Sequence, residues 1–462
     1  MSNVGIFIFT RDLRLEDNTC LIKALKECDK VIPIFIFTPD QVTNNSYKSD
    51  NCVQFMIECL EELDLSLRKR KSKLFHFYGD VDSVLEKIIK SEKNITGIYI
   101  NEDYTPFAKK REKLIEKVCK NNEILFNLTE DHMLTGKDKV KKGDGGYYLK
   151  FTPYYNAAKK IKIDSPQKNS YTNYISGSHK IPSTYTKSIH DFYEEENENI
   201  FVRGGRKNAI TILKKIKKFS GYNKDREIPS LEGTTHLSAY IKFNVVSIRE
   251  VYKVFKSKLA PSNKLLTQLF WRDFYMQIMC HNSPVKSNRS YDVKWRNNTG
   301  WIKKWKEGVT GIPIVDAAMR QMNETGWMHN RCRMIVSNFF IKIMGCDWTI
   351  GEKYFAESLV DYDFSNNNGG WLWSCGSQKL SGFSFSLDSQ PYFRLFNPWR
   401  QAENYDSECV YIKKWIPELK DVPNKDILKW NESYKLYKKV SYPKPMIEDI
   451  QEEFKKTLKL IK

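Results

Sequence analysis

The sequence predicts an α/β N-terminal domain with a Rossmann-like parallel sheet, followed by an all-α C-terminal domain. Two observations carry the prediction. Short β-branched and aromatic runs alternate with helical segments over residues 1–130, and apolar residues recur at threefold and fourfold spacing through the C-terminal half. The polar composition between the two marks a connector.

The strands are read in order from "VGIFIFT" (4–10), "KVIPIFIF" (30–37), "KLFHFYG" (73–79), "GIYIN" (97–101) and "ILFNL" (124–128). Each is short and rich in Ile, Val, Phe or Tyr, as buried strands are. Between the second and third lies "VQFMIECLEELDLSLRKR" (53–70), with helical apolar spacing. Strands that alternate with helices pair in parallel. The first strand-to-helix turn, "TRDLRLEDN", has no G-x-G-x-x-G, so no dinucleotide is expected there. Residues 131–205 form the connector, and from about 164 the chain turns to Ser, Asn, Thr and Pro, ending in the acidic "DFYEEENEN". Residues 206–462 are predicted helical, as in "TGIPIVDAAMRQMNETGWMHNRCRMIVSNFFIKIMG" (310–345).

The 462 residues, 41% of them hydrophobic, supply two or three cores. Lysine and arginine outnumber aspartate and glutamate by 75 to 56, a net charge of +19, which favours a polyanionic partner; AT-rich codon usage is the bland alternative. Ten cysteines without a C-x-x-C pair or zinc spacing suggest reduced thiols, no metal site and no disulfide framework. No apolar run reaches the ~18 residues of a membrane span, and the N-terminus lacks a signal-peptide pattern. An intracellular protein is expected, cytoplasmic or nuclear, neither secreted nor in a membrane.

Eleven tryptophans crowd the helical half. An isolated helical Trp is ordinarily core. Here the rings adjoin Arg, Asn and His in "LFWRDFY", "GWMHNRCRM" and "NNNGGWLW", the company that a stacked base or planar cofactor needs.

Six stretches, "TRDLRLEDN" (10–18), "EGTTHLSAYIKFNVVSIREVY" (232–252), "LFWRDFY" (269–275), "TGIPIVDAAMRQMNETGWMHNRCRM" (310–334), "DYDFSNNNGGWLW" (361–373) and "PYFRLFNPWRQAENYD" (391–406), follow the order of the photolyase/cryptochrome family. Together they resemble a class I cyclobutane pyrimidine dimer photolyase. The resemblance implies FAD inside the helical domain, active in its reduced anionic form. Its contacts would be Tyr222, the turn Thr234, Thr235, His236, Leu237 and Ser238, and Arg333, Asp361, Asp363 and Asn367. Asn367 would face the reactive flavin nitrogen. Trp371, Trp348 and Trp295 match an electron relay from the flavin outward. Trp271 and Trp373 match rings that flank a flipped-out dimer, with Gln268 and Met334 in the same pocket. Arg226, Arg272, Tyr275, Asn330, Arg331, Arg394 and Gln401 match positions at or near the DNA. The implied activity is light-driven splitting of the dimer, a carbon–carbon lyase reaction on UV-damaged DNA that needs no metal.

Departures leave alternatives open. His236 stands where the family has Arg or Lys, Ala239 where it has Pro, and Gln268 where dimer photolyases have Glu. An amide at 268 is seen in the (6-4) branch, whereas Asn330 and Met334 replace the histidines of that branch. A long loop at 374–390 borders the lesion site. A cryptochrome, a flavin photoreceptor that signals to a protein partner, is the rival from another class; it often carries a C-terminal extension, and this chain stops about 30 residues after the resemblance ends near residue 430. "NEDYTPFAKKREK" (101–113) matches an antenna-contacting stretch, with Thr105 in place of a folate-binding Glu, so a folate, a deazaflavin or no second chromophore are all open. A monomer is expected.

Overall fold

The computed structural model describes residues 3–282, 293–376 and 388–461. Its N-terminal part is a five-stranded, all-parallel sheet in the order β3-β2-β1-β4-β5, formed by β1 (Val4–Phe9), β2 (Lys30–Phe37), β3 (Phe75–Tyr78), β4 (Ile95–Asn101) and β5 (Leu125–Thr129). All six residues of β1 are buried, because helices cover both faces of the central strand. Those helices are α1 (Thr19–Glu27), α2 (Asp50–Arg68), α3 (Val81–Ser91) and α4 (Pro106–Asn121). The side chains of Asn18, Ser49 and Thr105 accept N-cap hydrogen bonds at the starts of α1, α2 and α4. All five strand expectations and the helix at 53–70 are met within two or three residues.

The connector is more structured than its composition suggests. It contains α5 (Phe151–Ala158), and Tyr174 bridges back to Val31 at the sheet. Asn169 is buried and donates to the carbonyl of Leu15 and to the hydroxyl of Tyr174. Polar side chains thus replace the missing apolar ones in pinning this segment down.

The helical part includes α6 (Arg206–Lys214), α7 (Ser238–Lys242), α8 (Ile248–Lys258), α9 (Lys264–Asn282), α10 (Thr299–Glu307), α11 (Pro313–Thr325), α12 (Asn330–Asn338), α13 (Trp348–Ser358), α14 (Phe364–Cys375), α15 (Pro398–Tyr405), α16 (Val410–Trp415) and α17 (Ile450–Ile461). The periodic stretch 310–345 is two helices and a turn. Gly326 closes α11 at φ +67°, the left-handed conformation glycine adopts without strain, and His329 caps α12. A π-helical turn, Phe339–Ile343, follows.

A buried charge network joins the two parts. Arg14 pairs with Asp131 at 2.5 Å, and Arg249 with Asp17 and Asp131 at 2.9 and 2.8 Å. Burial alone would raise the Asp131 carboxyl, but Arg14 and Arg249 outweigh it and hold the group well below the usual carboxylate range. Leaving one such buried charge unpaired costs roughly 3–5 kcal/mol, so the network sets how the parts sit together. All ten cysteines are free. No helix among the described residues is long and apolar enough to cross a membrane, and no group of three or more His, Cys, Asp or Glu there could hold a metal ion.

Candidate active site

The helices enclose a cavity of about 760 Å³, toward the upper end of the ~300–1,000 Å³ typical of ligand and cofactor sites. Every expected cofactor contact lines it: Tyr222, Thr234, Thr235, His236, Leu237, Ser238, Arg333, Asp361, Asp363 and Asn367. So do Trp371 and the lesion-side residues Arg226, Gln268, Trp271, Arg272, Tyr275, Asn330, Met334 and Trp373. Arg331, Arg394, Gln401, Trp348 and Trp295 are not among the lining residues.

The stretch "DYDFSNNNGGWLW" builds one wall. Asp363 caps α14, accepting from the backbone N–H of Asn366, while its other oxygen takes a 2.8 Å hydrogen bond from Arg11. Burial would raise this carboxyl; Arg11 and Arg272 outweigh it and bring it to about 2. Arg11 also pairs with Asp103 at 2.9 Å. The turn after β1, where a doubly wound sheet usually binds its ligand, thus carries an ion-paired strut between sheet and cavity. Asp361 accepts from Arg333 Nη2 at 2.9 and 3.0 Å, and Arg333 Nε donates to the Met328 carbonyl, so the pair ties α12 to the start of α14.

Asn367 Nδ2 donates to Glu352 Oε1 at 2.9 Å and to the Glu352 carbonyl at 3.1 Å; Asn368 Nδ2 donates to the same carboxyl at 3.0 Å. Glu352 is a residue that sequence reasoning missed. It is buried, and burial pushes its carboxyl up to about 7 despite the hydrogen bonds from Asn367 and Tyr362. In "GEKYFAES" it reads as an ordinary helix-surface glutamate. The only hint is Gly351 beside it: a β-carbon there would overlap the Trp371 ring, so this face of α13 is packed hard against α14.

That contact orders the tryptophans expected to form a relay. Trp371 is buried against α13 at Gly351, one helical turn from Trp348, which opens the helix. The N–H of Asp347 donates to Asn297 Oδ1 and that of Arg296 to the Gly345 carbonyl, so the segment carrying Trp295 lies along the approach to Trp348. Trp348 is buried and Trp295 half-buried, an inside-to-outside order. Trp371 also meets Trp305 edge-on, with ring centroids 6.4 Å apart.

Among the residues expected to meet the lesion, the Trp271 ring is stacked on Phe151 at 3.6 Å and 7°, which leaves one face to the cavity. Arg272 is buried and donates to the His132 carbonyl at 2.7 Å, and Tyr275 fills the space where a β-carbon on Gly369 would sit. Both form part of the cavity wall beside Trp271 and Gln268. Gly370, by contrast, has nothing within 4 Å of its missing β-carbon and opens onto the cavity. Arg331 is paired with Glu227 and stacked 4.3 Å over Tyr405. Arg394 sits exposed on the turn that starts at Pro391. Lys342, unremarkable in "FFIKIMG", is buried beneath that turn, donating to the carbonyls of Pro391 and Arg394 at 3.3 and 3.0 Å. Most of the loop at 374–390 lies outside the described residues.

His236 departs from a phosphate-binding cation in more than identity. It sits at φ +53°, edge-on to Phe201 and Trp327 with centroids 4.8 Å away, and burial lowers its imidazole to about 4. It is therefore neutral at ordinary pH. Hydroxyls and N–H groups of Thr234, Thr235 and Ser238 remain for a phosphate. Thr105 is spent as the N-cap of α4, accepting from the Ala108 N–H.

A cavity with a hydroxyl-rich turn, an Arg–Asp pair, an inward amide, an opening glycine and aromatic walls fits a dinucleotide cofactor with a planar ring system. An α/β sheet domain fused to a helical domain around such a cavity defines a flavoprotein of the light-driven class. The family described as DNA photolyase matches residues 6–170, and the FAD binding domain of DNA photolyase matches residues 265–462. The chain is 32% identical to the deoxyribodipyrimidine photo-lyase of Alkalihalophilus pseudofirmus (98% of this chain, 97% of the relative) and 35% identical to that of Buchnera aphidicola from Acyrthosiphon pisum (98% and 96%). An archaeal photolyase from Sulfolobus tokodaii, solved with two FAD molecules, superposes with a TM-score of 0.86 at 37% identity over 99% of each chain. The chain belongs to the photolyase/cryptochrome family, in its class I cyclobutane-dimer photolyase branch.

Proposed function

We propose that the cavity holds FAD beside a cyclobutane pyrimidine dimer rotated out of UV-damaged DNA. The protein is a light-driven DNA-repair enzyme, a carbon–carbon lyase. When bound in its reduced anionic form, FAD would supply light-driven donation of one electron to the cyclobutane ring and take it back once the ring has opened. The chain's own residues bind, orient and exclude water. Thr234, Thr235 and Ser238 offer neutral donors to the pyrophosphate. Arg333, fixed by Asp361, brings positive charge toward a reduced ring, and Asn367, which lines the cavity with its Nδ2 spent on Glu352, keeps its carbonyl oxygen as an acceptor. Trp371, Trp348 and Trp295 pass electrons inward from the surface to keep the cofactor reduced. The open face of Trp271, with Trp373 and Met334, stacks on the dimer, whose extrusion costs least where pairing is already damaged. Arg226, Asn330, Arg331, Arg394 and Gln401 meet the strand around it.

The observation that carries this reading is that one cavity gathers the expected flavin contacts, Trp371 and both lesion-flanking rings. A (6-4) product is the second reading, favoured by Gln268 on the cavity wall. We assign residues 1–130 to an antenna domain, 131–205 to the connector and 206–462 to the FAD and lesion domain, in a monomer. For a second chromophore, the place best supported is beside Arg111 and Arg11, which bury guanidinium nitrogens with no hydrogen-bond partner; a folate, a deazaflavin or a flavin, as in the archaeal relative, would satisfy them.

The test is repair by reduced protein of two oligonucleotides, one with a cyclobutane dimer and one with a (6-4) product, in blue light and in darkness. Light-dependent loss of the cyclobutane dimer alone is expected. Repair of the (6-4) product alone would transfer the assignment to the second reading, and repair of neither would point to photoreception.

A further inference from the structure

A strip of exposed lysines runs up to the cavity. Lys214 ends α6, and Lys215, Lys217 and Lys218 follow in and around the 3-10 turn Ile216–Gly221, all four exposed. The next residue, Tyr222, lines the cavity, as does Arg226. Four residues of chain reach at most ~14 Å, so Lys218 lies within that distance of Tyr222 along the backbone. The helix behind the turn, α8, adds exposed Lys256 and Lys258 in its last turn. Lys264, exposed at the start of α9, lines the cavity and is tied to the same place by the Asn223 side chain, which accepts from the Lys264 N–H at 2.8 Å.

Neighbouring carboxylates do not neutralise the strip. Glu250 is taken by Arg206, and Glu227 by Arg226 and Arg331. Among the described residues no ion pair engages Lys214, Lys215, Lys217 or Lys218. Four like charges within five residues repel one another; the Asp225 carboxylate beside Gly221 is the acidic group at the end of the turn, and it pairs with none of the four. The turn rises ~8 Å over these residues, the length of about four or five phosphate charges on B-DNA.

We infer that this strip is the phosphate track for one duplex arm beside the lesion, so that the protein grips its DNA asymmetrically, more strongly on the side bordered by α6 and α8. The inference rests on the reading of the cavity as a dimer-repair site and extends it from the flipped base to the flanking duplex.

The test compares the flavin-loaded full chain with a K214Q/K215Q/K217Q/K218Q variant; all four positions are exposed, and matched thermal melts confirm equal folding. Affinity for a duplex with one central cyclobutane dimer is measured against salt concentration, then with either arm shortened in turn. The slope of log affinity against log salt is expected to flatten by about 2 or more, at ~0.9 for each phosphate no longer neutralised. Shortening one arm should weaken the wild type more than shortening the other, and the variant should lose that difference. Equal slopes, or arms that matter equally to the wild type, overturn the inference. Light-driven repair of a short single strand carrying the dimer, which has no arms, should be the same in both proteins; if the wild type does not repair it, the reading of the cavity itself falls.

Discussion

Arg11, on the loop after β1, donates to Asp363, the N-cap of α14, at 2.8 Å across 352 residues of chain. The sheet domain therefore holds the end of the helix that carries Asn367, Trp371 and Trp373. Replacing Arg11 by Gln leaves Asp363 and Asp103 short of their cation. Destabilisation of about 3 kcal/mol is expected, read by urea unfolding, with earlier loss of bound flavin. The wild-type contribution of Asp363 is present above about pH 4 and lost as pH falls through about 2, because its carboxyl is depressed in the folded state; the variant, left with Arg272 and the Asn366 hydrogen bonds, should show a weaker acid limb.

Glu352 behaves oppositely. Its carboxyl, raised to about 7 by burial, keeps a proton that the unfolded chain releases near ~4.3. Stability contributed by this group is therefore fullest below ~4.3 and falls as pH rises to about 7, by at most ~1.4 kcal/mol per pH unit. Glu352→Gln keeps the shape and removes the titration. The wild type minus variant difference in melting temperature should change between pH 5 and 7; a flat difference would show that Glu352 is ionised throughout.

Trp295→Phe is expected to leave repair by chemically reduced enzyme nearly intact and to slow light-driven reduction of the oxidised cofactor by at least tenfold. Equal loss of both activities would make Trp295 a packing residue.

Trp373→Ala should weaken binding to dimer-containing DNA by roughly 1–3 kcal/mol if the ring stacks on a base. Affinity for undamaged duplex, measured in the same titration, should not move.

Lys342→Met removes the buried ammonium that donates to the carbonyls of Pro391 and Arg394, leaving the Pro391 carbonyl only the Arg394 N–H. The expected result is about tenfold weaker binding of damaged DNA, ~1.4 kcal/mol, with an unchanged flavin spectrum. A changed spectrum would show that Lys342 supports the cofactor instead.

Much of this molecule is legible in one dimension. β1 and β2 announce themselves because strands buried on both faces need continuous apolar runs, and the break at Gly326 is marked by the residue that allows it. The motif residues around the cavity were recognisable as a set. What could not be read are relations decided by burial and long-range contact. Arg11 and Asp363 are 352 residues apart, so no periodicity links them. Glu352 and Lys342 sit in helical segments where charge ordinarily means solvent, and only the folded chain shows them buried. The same limit applies to Arg272 and Tyr275: their place in "LFWRDFY" is plain, but not that they face inward.

The missing side chain at Gly351 has a final consequence. Trp371 rests directly on the backbone of α13 at Gly351, and Trp348 begins that same helix one turn earlier, so one turn of rigid helix links the two positions, with no loop to close. Charge separation along the proposed relay would need no moving part. It should survive in a frozen glass, where lesion binding and product release stop, and cooling would thereby divide the enzyme into a photochemical half that still runs and a mechanical half that does not.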